Sequence, residues 1–165
     1  MTEPAPVPDV RLEMFSQPRL LAPARALLGT LAQRFGFNDV ECGQISLAID
    51  EALCNIINHG YNRKPDGPIS LSIWSLHDPV GMKVVVEDRA RQVDPEKIRG
   101  RDLADIRPGG LGVHLIREIM DEVTYERRRE GGMRLTMVKL KGAAKEGSMT
   151  AGSPCCEGES GEAHE

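Results

Sequence analysis

The chain has 165 residues, 40% of them hydrophobic, which suits one domain with one core and leaves too little for two. A formal net charge of -4 argues against a nucleic-acid footprint and against a polybasic membrane anchor, so any charged ligand must be held by local features. Of the four cysteines, Cys42 and Cys54 lie in a helical pattern and Cys155 and Cys156 are adjacent in a polar segment, which is neither a disulfide framework nor a metal-ligand spacing.

Prolines at 4, 6 and 8 predict an extended, flexible lead-in over residues 1–8. It has no basic stretch followed by an apolar run, and no segment approaches the roughly 18 to 20 apolar residues needed to span a bilayer, so a cytoplasmic protein is expected. Val10, Leu12 and Met14 alternate with Arg11 and Glu13 as in a half-buried strand near 9–15. Leu20, Leu21, Ala24, Leu27, Leu28 and Leu31 recur at helical spacing and predict a helix over 18–35, closed by Gly36. Asn38 or Asp39 can cap a second helix whose apolar side runs from Ile45 to Ile57 and which stops at Gly60.

After a turn-rich RKPDGP, two strands near 69–77 and 82–88 read as a hairpin, joined by HDPVG. Residues 89–109 are charged and broken by Pro95, Gly100 and Pro108, long enough for a lid. GLGVHLIREIMDEV then gives a helix, and VTYERRR and MRLTMVKLK flank a Gly-Gly pair as a closing hairpin. From Gly142 the composition turns small and acidic, so 142–165 is expected to be a disordered tail and 9–141 the folded domain. Helices set apart from a run of strands predict an α+β two-layer sandwich, with helices on one face of a mixed, mainly antiparallel sheet.

Three segments carry candidate chemistry. In IDEALCNIINHG, Glu51 and Asn55 stand four residues apart and share a helix face. A carboxylate there can act as a base, and a neutral amide oxygen is a hard ligand suited to Mg²⁺. By itself such a pair describes a solvated helix face. In VVVEDRA, an apolar strand ends in Glu87 and Asp88, and a carboxylate at a strand end can accept a hydrogen bond from the amino group of adenine. In PGGLG, Gly110 and Gly112 precede or open a helix, where backbone can approach phosphate and unpaired N–H groups attract it. Arg89, Arg91, Arg99, Arg101 and Arg107 supply cations in the candidate lid.

The order of these segments is more specific than any one of them. A helical ExxxN, a strand-end Asp, a charged lid, GGLG opening a helix and a closing GGMRLTMVKL together resemble the boxes of the GHKL ATPase superfamily, whose fold is the Bergerat fold. Within it, DEALCNIINHGY, EDRARQVDP, RPGGLGVHLIREIMDEVTYE and GGMRLTMVKL are most similar to the bacterial anti-sigma-factor serine kinases of the RsbW and SpoIIAB type, over about residues 9–141.

The resemblance implies a five-stranded mixed sheet, with ATP and Mg²⁺ clamped under a mobile lid. It implies Glu51 as the base that activates a substrate serine, Asn55 as the Mg²⁺ ligand and Asp88 as the adenine-binding acid. Gly110 and Gly112 fall on its phosphate loop, and Thr136 on the last strand near the adenine end. Arg107 stands one position from where those kinases place an arginine near the γ-phosphate. Ala90 and Val93 depart from the family pattern, which has glycine and phenylalanine there, and the Ala90 methyl is expected to crowd the adenine side. The implied activity is a serine/threonine protein kinase acting on an anti-sigma-factor antagonist (STAS-domain) protein, working as a homodimer. The alternative is a nucleotide-tuned binding module that sequesters a sigma factor without phosphorylating anything. Neither a nucleic acid nor a membrane is expected as a partner.

Overall fold

A computed structural model describes residues 7–98 and 111–142. The expected lead-in over 1–8 is described only at Val7 and Pro8, and the expected tail over 142–165 only at Gly142. Strand β1 (Val10–Phe15) alternates half-buried and exposed side chains, as an edge strand with one covered face does. A 3-10 turn at Pro18–Leu20 leads into α1 (Leu21–Arg34), so the single helix expected from residue 18 begins as a tighter turn around Pro18. Gly36, at φ 92°, ends the run in the left-handed region.

Helix α2 (Asp39–Asn55) starts with a reciprocal cap: the Asn38 side chain accepts from the Glu41 N–H, and the Glu41 carboxylate accepts from the Asn38 N–H. Its last turn, Ile56–Gly60, widens into a π turn. Strands β2 (Pro68–His77) and β3 (Val80–Asp88) form the expected hairpin; α3 (Leu111–Ile119) follows; β4 (Glu122–Arg127) and β5 (Met133–Leu140) close the chain.

The sheet order is β1-β2-β3-β5-β4. All four pairings are antiparallel, which corrects the expectation of a mixed sheet. Among the described residues no parallel β-α-β crossover joins neighbouring strands: β1–β2 bonds across two helices, and the other neighbours meet through hairpins or the return over α3.

Period-two alternation assigns the faces. Ile69, Leu71 and Ile73 of β2, Val84 and Val86 of β3, and Leu135 and Met137 of β5 are in register and buried against the helices. The helices return Leu28, Ile45, Ile49, Leu53, Ile57 and Ile116, each 1% exposed or less. Burying each such side chain contributes about 1.5 to 3 kcal/mol. The opposite face carries Arg11, Glu13, Ser70, Trp74, Lys83, Glu87 and Arg134, with the Lys83 ammonium 5.3 Å from the Trp74 ring centre. This is the two-layer α+β sandwich that the sequence predicts.

Candidate functional site

The core stripe of α2 (Ile45, Ala48, Ile49, Ala52, Leu53) fixes the rotation of the helix about its axis. Glu51 and Asn55 then fall one turn apart on the margin of that stripe, half-buried and turned toward α3. The convergence is close. A Cβ built on Gly112, in the first turn of α3, would lie 2.6 Å from Glu51 Oε2 and 3.5 Å from Asn55 Nδ2. Only a residue without a side chain lets the Glu51 carboxylate rest against the α3 backbone, at the helix end where dipole and free N–H groups favour anions.

Nine residues along the chain from Glu51, at the end of the π turn, Gly60 packs against the loop after β3. A Cβ at Gly60 would sit 3.0 Å from the Ala90 methyl. The Ala90 methyl therefore lies between the end of the π turn and the loop after Asp88. The stretch from Glu51 to Gly60 is roughly 13 Å long at helical rise, so it forms a long wall with an acid and an amide at one end and the β3 terminus at the other.

Asp88 ends β3 on the helix-facing side and is 5% exposed. Its Oδ1 accepts the Ala90 N–H at 2.8 Å and the Met133 N–H at 3.2 Å. Both bonds end on one oxygen, which leaves Oδ2 able to accept another donor. Burial pushes the carboxyl above its ordinary value, with the Ala90 and Met133 N–H groups and the Arg128 cation pulling it partly back. A buried acid held this way suits an uncharged N–H donor such as a purine amino group.

Around Asp88 lie residues that the sequence analysis did not assign. The Tyr61 hydroxyl accepts the Arg89 N–H at 2.8 Å and donates to the Pro68 carbonyl at 2.7 Å. Gln92 donates to the carbonyl oxygens of Arg128 and Gly132. Arg128 Nη1 donates to the Asp88 carbonyl at 2.7 Å. Apart from the Tyr61–Pro68 bond, these partners are 28 to 40 positions apart in the chain, and local pattern carries no signal for them.

Thr136 is not part of this cluster. It pairs with Val85 and Thr124, and alternation from Met133, which bonds Asp88, puts it on the face away from the helices. The strand position beside Asp88 is Met133, three residues earlier. Arg107 and Gly110, together with the arginines at 99 and 101, lie outside the described residues. Glu51, Asn55, Gly112, Asp88 and Ala90 are thus gathered along the C-terminal half of α2. Among the described residues no cluster of three or more His, Cys, Asp or Glu could hold a metal ion by itself. A cation here would have to share Asn55 with ligand oxygens, which matches the way Mg²⁺ keeps few protein ligands.

The family model for the histidine kinase-like ATPase domain matches residues 14–139. The chain is 28% identical over 122 residues to the serine-protein kinase RsbW of Oceanobacillus iheyensis, covering 69% of this chain and 76% of that protein. It is 26% identical over 139 residues to the serine-protein kinase RsbW of Bacillus subtilis, covering 79% and 84%. Among solved structures, the RsbU and RsbW domains of a Mycobacterium tuberculosis protein superpose with a TM-score of 0.56 at 18% identity, covering 82% of this chain. That likeness is one of fold, and this chain spans 33% of that longer one. No helix among the described residues is long and apolar enough to cross a membrane.

Proposed function

Because the chain belongs to the histidine kinase-like ATPase domain family, we propose that it binds Mg-ATP along α2 and transfers the γ-phosphoryl group to a serine of a partner protein. One observation carries the reading: the Glu51 carboxylate and the Asn55 amide converge on the backbone of Gly112 at the start of α3. A carboxylate and an amide side chain beside a helix N-terminus support this reading, because phosphoryl transfer calls for a base and a metal ligand next to bound phosphate.

The residues divide the work. Asp88 Oδ2 accepts the adenine amino group and sets base choice. The α3 N-terminus and Gly112 receive the triphosphate; the family resemblance also implies phosphate contacts for Gly110 and Arg107. Asn55 would hold Mg²⁺ by its amide oxygen, and that ion would supply charge neutralisation at the phosphates. In the transfer, the serine oxygen forms a bond to the γ-phosphorus while the bond to the β-γ bridging oxygen breaks and ADP leaves. The serine proton passes to Glu51 and from there to water. Positioning and proton removal of this kind contribute about 10²- to 10⁴-fold for the base alone.

The partner serine belongs to an anti-sigma-factor antagonist of the STAS-domain class, the substrate that the family resemblance implies, with a sigma factor as a second binding partner. We place the protein in the cytoplasm and as a homodimer on the same ground. The test uses γ-labelled ATP, purified candidate antagonists, and wild type beside Glu51→Gln. Wild type is expected to label a serine, and the variant to bind ATP but leave the antagonist unlabelled. If ATP binds normally and no antagonist is ever labelled by wild type, the kinase assignment fails and a nucleotide-tuned binding module remains.

A further inference from the structure

We infer that Arg128 is a positioning residue for base recognition, fixing the end of β3 so that Asp88 presents its open carboxylate oxygen to an amino-bearing purine. The inference rests on the ATP reading above and concerns how its selectivity is built. Arg128 closes the β4–β5 hairpin: its N–H donates to the Gly132 carbonyl at 3.1 Å, and its carbonyl accepts from Gly131 at 3.2 Å. From that fixed base its side chain, 19% exposed, reaches back to the Asp88 carbonyl at 2.7 Å. Gln92 clamps the same turn from the other side, 2.6 Å from the Arg128 carbonyl.

The hairpin also presses on Asp88 directly. Gly132 stands at φ 79°, and a Cβ there would overlap the Asp88 carbonyl. The next residue, Met133, supplies one of the two N–H groups on Asp88 Oδ1. Arg128 therefore controls the spacing between the strand that carries the acid and the backbone that orients it. With the guanidinium removed, the Asp88 carbonyl loses its closest side-chain donor and the 3.2 Å bond from Met133 loses its geometric support.

A simpler role, as the partner of Glu87, is already filled. Arg134 lies 2.8 Å from Glu87 Oε1, whereas Arg128 Nε is 3.4 Å away. The shortest side-chain contact of Arg128 is with Asp88. Two acceptors served at once, Glu87 by Nε and Asp88 by Nη1, require the planar fork of arginine, which a lysine ammonium cannot reproduce.

The experiment is calorimetric titration of the full chain with Mg-ATP and with Mg-ITP, in which a carbonyl replaces the purine amino group. Wild type is expected to prefer ATP. Arg128→Met is expected to lower the ATP-to-ITP affinity ratio about tenfold, the scale of one hydrogen bond to a charged group. Arg134→Met, which removes the nearer Glu87 partner without touching Asp88, is expected to leave the ratio within twofold. Should the methionine variant not fold, Arg128→Lys is read the same way. Equal loss of ATP and ITP affinity, or an unchanged ratio, overturns the inference and leaves Arg128 a structural residue. A wild-type protein that binds neither nucleotide overturns the ATP reading and this inference with it.

Discussion

Gly112→Ala separates catalytic geometry from fold, because its two effects have opposite signs. Gly112 lies within α3, and its φ is not among the positive values, so alanine fits the backbone. Alanine in place of glycine inside a helix stabilises by up to about 1 kcal/mol, or roughly 2 to 4 °C in Tm for a domain of this size. The added methyl, however, would stand 2.6 Å from Glu51 Oε2, inside contact distance. The carboxylate must swing aside, and displacing a reacting group by ~1 Å costs about 10²-fold in rate. The assay pairs initial rates of phosphoserine formation at saturating ATP with a thermal melt. A rate within twofold of wild type, with Tm unchanged or raised, would refute the reasoning: Glu51 would then not be poised against α3 for chemistry.

Other expectations follow from the same contacts. Because burial raises the Asp88 pKa above 3.8, the folded chain holds that proton more tightly than the unfolded one; the group's stabilising effect is present below that value and lost as pH rises through the raised pKa. Asp88→Asn is therefore expected to be more stable than wild type near neutral pH in urea unfolding, with the gap closing toward about pH 4. ATP affinity of wild type should fall as pH drops through the same range, while the weaker affinity of the variant stays flat in calorimetry. Gly60→Ala meets the Ala90 methyl at 3.0 Å. It should cost about 1 kcal/mol, most of it recovered in the Gly60→Ala, Ala90→Gly double variant; strictly additive effects would mean the two do not touch. Asn38→Ala removes one half of the cap on α2 and should lower stability by about 1 kcal/mol, read as a Tm shift without a change in ATP selectivity.

The legible parts of the fold were those written in local pattern. Asn38 and Glu41 mark the start of α2, and the stripe from Ile45 to Leu53 sets its rotation, so the shared margin of Glu51 and Asn55 follows from spacing alone. Asp88 was legible because the apolar run of β3 stops there. Thr136 was assigned by family resemblance alone; alternation along β5, with Met133, Leu135 and Met137 buried and Arg134 exposed, sets it on the other face of the sheet. The π turn at Ile56–Gly60 left no compositional mark, since its residues are ordinary helix-end types. Tyr61, Gln92 and Arg128 acquire their roles only when distant strands pair, and nothing in their immediate neighbours announces that.

The clasp on Asp88 has a bearing on how the protein is made. During synthesis from the N-terminus, Glu51, Asn55 and Asp88 leave the ribosome well before Arg128, Gly132 and Met133, which lie 40 to 45 residues beyond Asp88. Until β5 inserts between β3 and β4, the acid has neither its Met133 donor nor its Arg128 brace. A nascent chain cut short of residue 133 should therefore ignore nucleotide even though the side chains proposed to hold it are already present. Capture on an ATP matrix would then sort finished molecules from partial ones.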